Sequence, residues 1–169
     1  MSKLKGVRVI EIPPFRAVSS GQHTFAELFN EGGFDQWIGE HKRIIKMSVY
    51  GHAYDFMWHE EDDADKTVWI WAVKDGVTEA DVVPYELIEY EGGMFVVATA
   101  DENDNKDLDE VVSGMCKWIK KSGLFERDER PGHRGMGHMV GCGAIQEALG
   151  IAQQEIFLPV KLKEIDAVR

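Results

Sequence analysis

The sequence is short of cysteine, of basic charge and of long apolar runs, and each shortage excludes something. Its two cysteines, Cys116 and Cys142, form no CxxC pair. A disulfide framework is therefore not expected, and reduced thiols are the simpler reading. No apolar stretch approaches the ~20 residues of a membrane-spanning helix. The N-terminal segment meets charge at Lys3, Lys5, Arg8 and Glu11, so no apolar run of signal-peptide length forms there. A cytoplasmic protein without a membrane partner is expected by default. Lys and Arg number 19 against 30 Asp and Glu, a net charge of −11. Direct nucleic-acid binding is not expected of such a chain, because phosphate backbones are held by clustered Lys and Arg. Its field attracts cations instead.

What is present suits a folded domain. The 169 residues are 44% hydrophobic and 29% charged, ordinary globular values. That length buries a core without staples. The chain also resembles itself. Residues 9–18 (VIEIPPFRAV) and 87–97 (LIEYEGGMFVV) are extended apolar segments, one broken by a Pro pair and the other by a Gly pair. Trp37-Ile38 recurs as Trp118-Ile119 in a second amphipathic run. Residues 68–74 (VWIWAVK) and 155–161 (EIFLPVK) both read as strands ending in Val-Lys. The offsets grow in chain order, as two repeats with insertions in the second would require.

Periodicity gives each half the same elements. Residues 34–47 place Phe34, Trp37, Ile38, His41, Ile44 and Ile45 at helical spacing. Residues 48–58 alternate, with Tyr50, His52, Tyr54, Phe56 and Trp58 on one face and Val49, Gly51 and Ala53 on the other. Residues 60–66 are a polar turn before the strand 67–74. In the second half, 84–101 are extended and 107–121 are helical, with Gly123 as C-cap. Strands follow at 136–142 and 153–162. The fold class is α+β: two β-α-β-β units in pseudo-twofold arrangement, repeat 1 about 5–80 and repeat 2 about 81–165, forming a single domain. Helices cover one face of the antiparallel sheets, and the other face carries the aromatic stripe.

This order of elements, the segment Val49-Tyr50-Gly51 and above all 154–161 (QEIFLPVK) resemble the GyrI-like (gyrase-inhibitor-like) family over roughly residues 5–163. That family includes the effector-binding domains of AraC-type and MerR-type multidrug regulators. The resemblance implies a groove between the halves that takes amphipathic, often cationic small molecules. It also implies a Glu in the last strand with an aromatic two residues on, here Glu155 and Phe157. Some stand-alone members are implied to hydrolyse cyclopropane-bearing DNA-alkylating toxins.

The physical reading of Glu155 is direct. A carboxylate on an aromatic wall is a desolvated anion for a ligand cation, and the rings add cation–π attraction. The plain alternative is an edge-strand Glu in water. The family often has a second Glu on the penultimate strand, and the internal repeat puts His138 at that place. A histidine supplies no fixed negative charge near neutrality. It would pair with Glu155 as acid and base, or be satisfied by a local backbone partner. The ligand-binding candidates are thus Glu155, Phe157, His138, Tyr50, His52, Tyr54, Phe56 and Trp58; the last five serve equally as packed core. Tyr and His tips argue for the groove, since a closed core must partner them. Trp69 and Trp71 match Ile156 and Leu158 in the repeat, so they belong to the helix-packed face.

Other motifs fail. The glycine-rich residues 135–143 lack GxGxxG spacing and follow no first strand. His133, His138 and Cys142 match no common zinc pattern. The acidic run 60–65 lacks the Gly of a calcium loop. No metal and no cofactor are expected. There is no room for a helix-turn-helix before residue 7 or after 163, so the expectation is a stand-alone effector-binding protein for amphipathic, cationic aromatic molecules. A protein partner such as a gyrase or a regulator fits this reading. The alternative is a hydrolase of strained-ring electrophiles that uses Glu155 or His138 to activate water.

Overall fold

The computed structural model describes residues 6–49, 54–60, 62–140 and 143–164. Among them no helix is long and apolar enough to cross a membrane. The fold is α+β, and the strand ladders within each unit are antiparallel. The chain forms two compact units, one of residues 14–91 and one of residues 1–13 with 92–169.

The division falls where β1 (Arg8–Ile12) gives way to β2 (Phe15–Ser19). Pro13 and Pro14 join them. Each proline has φ fixed near −65°, so the pair cannot form the positive-φ turn of a two-residue hairpin. β1 accordingly does not fold back on β2.

In the unit of residues 14–91, β2 is followed by β3 (His23–Thr24), α1 (Phe25–Phe29), α2 (Phe34–Glu40), β4 (Asp55–His59), β5 (Lys66–Ala72) and β6 (Glu86–Tyr90). The strand order is β4-β5-β2-β6, with β3 beside β5. One face packs under the helices: Val18, Trp69 and Val73 form a core with Leu28, Phe34, Trp37 and Ile38. Trp71 is packed against this cluster, as its spacing predicts.

The other unit holds β1, β7 (Gly93–Asp101), α3 (Asn105–Ser122), β8 (Phe125–Arg127), β9 (Met136–Met139), α4 (Ala144–Leu149) and β10 (Gln153–Leu162). Its order is β1-β7-β10-β9, with β8 against the end of β10. α3 starts at Asp104, whose side chain accepts from the Lys106 and Asp107 amides, and stops at Gly123 in the left-handed conformation. Its stripe of Val111, Met115 and Ile119 packs on Val96, Ala98, Ile156, Leu158 and Val160.

The two units share one plan: β7, β10 and β9 stand as β2, β5 and β4 do. The outer strands are crossed relative to the sequence repeat. β6 opens the second repeat and pairs with β2, while β1 opens the first and pairs with β7.

Several local expectations are corrected. The helix from residue 34 ends at Glu40, and Lys42–Ile44 is a 3-10 turn. Ile45 then bridges to Val73, so the sheet takes the end of the apolar stripe. The strand expected over 48–58 begins at Asp55, and Val49 is 95% exposed rather than covered by a helix. The helices α1 and α4 and the strand β8 are each too short to leave a periodic signal in the sequence.

The α1 start yields a test. Thr24 and Glu27 form a capping box, each side chain bonded to the other's backbone amide. Thr24→Ala is expected to lower stability by about 1 kcal/mol in urea unfolding. The backbone bond from Thr24, then its side-chain bond, holds the Glu27 carboxyl below its usual 4.5. Its stabilising contribution is therefore present above about pH 4.5 and lost as pH falls through the lower folded value. In Glu27→Gln the acid limb of the stability–pH curve should lose that component.

Candidate functional site

Alternation along β10 decides which side chains leave the helix-packed face. Ile156, Leu158 and Val160 enter the α3 core, so Glu155, Phe157 and Pro159 lie on the opposite face. Register adds their neighbours. Glu155 stands directly across from His138 on β9 and from Thr99 on β7. Phe157 stands across from Met136 and Val97. The face thus grades from polar at Glu155, His138 and Thr99 to apolar at Phe157, Val97 and Met136.

Glu155 has a partner that the sequence did not reveal. The Arg8 guanidinium donates from Nη2 to its Oε1. Arg8 sits on β1 opposite Val97, so its side chain crosses β7 to reach β10. The Glu155 side chain is 17% exposed and that of Arg8 50%. Farther along β7, Asp101 accepts from the Ala152 and Asn103 amides and anchors the turn into β10. Beside it, burial and the Asp101 charge push the Glu102 carboxyl up.

Phe157 is 3% exposed, and its ring meets Phe95 edge-on at 6.1 Å. Phe95 in turn packs on the His133 ring at 4.8 Å. His133 lies 3.6 Å from the Asp128 carboxylate, which also pairs with Arg130 at 3.1 Å. This buried cluster closes the segment 128–133 over the strands. The sequence offers His133 only as a candidate metal ligand. Its pairing with Asp128 joins two loop residues with no periodic pattern to betray them.

The other candidates belong to the unit of residues 14–91. Phe56 and Trp58 alternate with Met57 on β4, and Met57 packs against the helix-covered core. Phe56 and Trp58 therefore lie on the helix-free face. Phe56 is buried beside Phe15 and Tyr90, with ring centroids 6.0 and 6.5 Å away. Among the described residues, the buried Trp58 Nε1–H has no hydrogen-bond partner. Tyr54 precedes the strand and is exposed. Tyr50 and His52 lie outside the described residues, as does Cys142. Register thus brings together Glu155, His138 and Phe157 in one unit, and Phe56 and Trp58 in the other.

No protein-family model matches the chain, and no curated protein matches it in sequence. Solved structures do match in shape. SAV2435 bound to tetraphenylphosphonium is 15% identical, with a TM-score of 0.55 over 93% of this chain and 94% of that one. The EcmrR C-terminal domain is 14% identical, with a TM-score of 0.59 over 92% of this chain and 97% of that one. A hydrolase from Listeria innocua is also 14% identical, with a TM-score of 0.65 over 92% of this chain and 91% of that one.

The likeness is one of fold. At such identity it carries the path of the backbone and no residue's role. It agrees with the α+β architecture expected from the GyrI-like resemblance.

Proposed function

We propose that this chain binds amphipathic, cationic aromatic small molecules, with Glu155 as the anionic anchor. The observation that carries this reading is the position of Glu155. It is a largely buried carboxylate on the helix-free face of β10, flanked by His138, Thr99 and the aromatic Phe157. A desolvated carboxylate favours a cation strongly, and a diffuse organic cation sheds its own water cheaply. The shared fold with SAV2435, which is bound to tetraphenylphosphonium, supports the same ligand class. Charge and aryl contacts require no particular scaffold, so the reading extends to a range of such cations.

The test uses two ions of one shape and opposite charge. Tetraphenylphosphonium should raise the melting temperature and tetraphenylborate should not, because only a ligand of the native state stabilises it. In calorimetry Glu155→Gln should weaken the phosphonium by about 1–3 kcal/mol, or roughly 5- to 150-fold. Unchanged affinity in that variant would remove Glu155 from the site. Equal stabilisation by both ions would remove charge from the recognition.

The direct register of Glu155 with His138 favours a second reading, a hydrolase of strained-ring electrophiles in which this pair activates water. A ring-bearing alkylating compound recovered with one added water, and left intact by Glu155→Gln, would establish it.

A further inference from the structure

The carboxylate offered to a ligand is already occupied. Arg8 reaches Glu155 from the far side of β7, two ladder spacings away, or about 10 Å. Its guanidinium chemistry is that of the proposed ligand: a planar organic cation on an apolar stem, laid across a sheet face. The pair is also unequal. Glu155 is mostly buried, whereas the Arg8 side chain is half exposed. Arg8 is carried by β1, which ends its unit's ladder with β7 as its partner and has Arg8, Val9 and Glu11 exposed. The other polar groups facing Glu155 are His138 and Thr99 across the ladder, with Gln153 and Asp101 next along β10 and β7.

We propose that Arg8 is the resident counter-ion of the Glu155 anchor and sets its selectivity: a ligand cation enters by displacing the Arg8 guanidinium into water. This rests on the binding reading above. The energetic logic is asymmetric. An unpaired buried carboxylate is costly, so Arg8 stabilises the empty site. A half-exposed guanidinium loses little on returning to solvent, so the exchange remains accessible to a cation that brings more apolar contact. A neutral or anionic aromatic compound gains nothing by the exchange, because it would leave Glu155 without a charge partner.

The experiment is calorimetric titration of tetraphenylphosphonium into the full chain, wild type and variants. Arg8→Gln should bind about tenfold more tightly, since no internal cation competes. Arg8→Met, which keeps an apolar stem over β7, should do the same and separates charge from packing. Arg8→Lys should stay near wild type. Adding Glu155→Gln to Arg8→Gln should abolish the gain. If wild type binds and both neutral variants bind equally or more weakly, the counter-ion inference is overturned and the binding reading stands. If neither wild type nor the neutral variants bind, the binding reading itself is overturned and the inference falls with it. Binding that appears only in the neutral variants supports the inference in its strongest form.

Discussion

Gly92→Ala is expected to destabilise the protein by about 2–5 kcal/mol, with a fall in melting temperature on the order of 10 °C. Two costs add at this position. Gly92 has φ +71°, where an L side chain costs about 1–2 kcal/mol. A Cβ there would also stand 2.1 Å from the Ile12 carbonyl oxygen and 2.8 Å from the Pro13 carbonyl carbon. Both are backbone atoms at the end of the β1–β7 ladder, where Ile12 pairs with Gly93, so neither yields without breaking the pairing. Gly32→Ala is the control. Its φ is +78° but nothing lies within 4 Å, so only the conformational cost of about 1 kcal/mol should appear. Equal melting points for the two variants would show that the close approach at Gly92 is absent in solution.

The second large effect is Trp69→Ala, expected to cost about 3–5 kcal/mol, as for a buried tryptophan truncated in a core. Trp69 is 7% exposed on β5 and meets Phe29, Phe34 and Trp71 at ring-centroid distances of 5.3, 5.7 and 5.3 Å. Its Nε1–H donates to the Asp55 carboxylate at 2.9 Å. Trp69→Phe keeps most of the apolar volume and loses that bond, so it should cost about 1–3 kcal/mol. Urea unfolding measures both. A truncation that left stability intact but removed phosphonium binding would mean that Trp69 lies on the ligand-facing side of β5 and not in its helix-packed core.

These two sites differ in how far they could be read in advance. Trp69 and Trp71 fall at the spacing of Ile156 and Leu158 in the internal repeat, and alternation sends all four to the helix-covered side. The same rule places Glu155 and Phe157 on the opposite face, and β10 runs over Gln153–Leu162 as its β-branched and aromatic pattern implies. α3 was legible for the same reason: eighteen residues give its apolar stripe time to repeat. The short helices α1 and α4 gave no such signal. The Gly pair at 92–93 was visible as a break, but its close approach to Ile12 and Pro13 was not.

Local chemistry thus determined the longer elements, their buried faces and the face on which Glu155 lies, because side-chain period depends only on neighbours along the chain. Tertiary structure alone decided that β1 pairs with β7 and β6 with β2, that Glu155 meets His138 and Thr99 in register, and that Arg8 crosses β7 to neutralise Glu155. Those facts depend on strand partners far apart in sequence. Nothing in residues 8–12 specifies which distant edge they will join; the two prolines that follow only prevent them from turning back on their own neighbour.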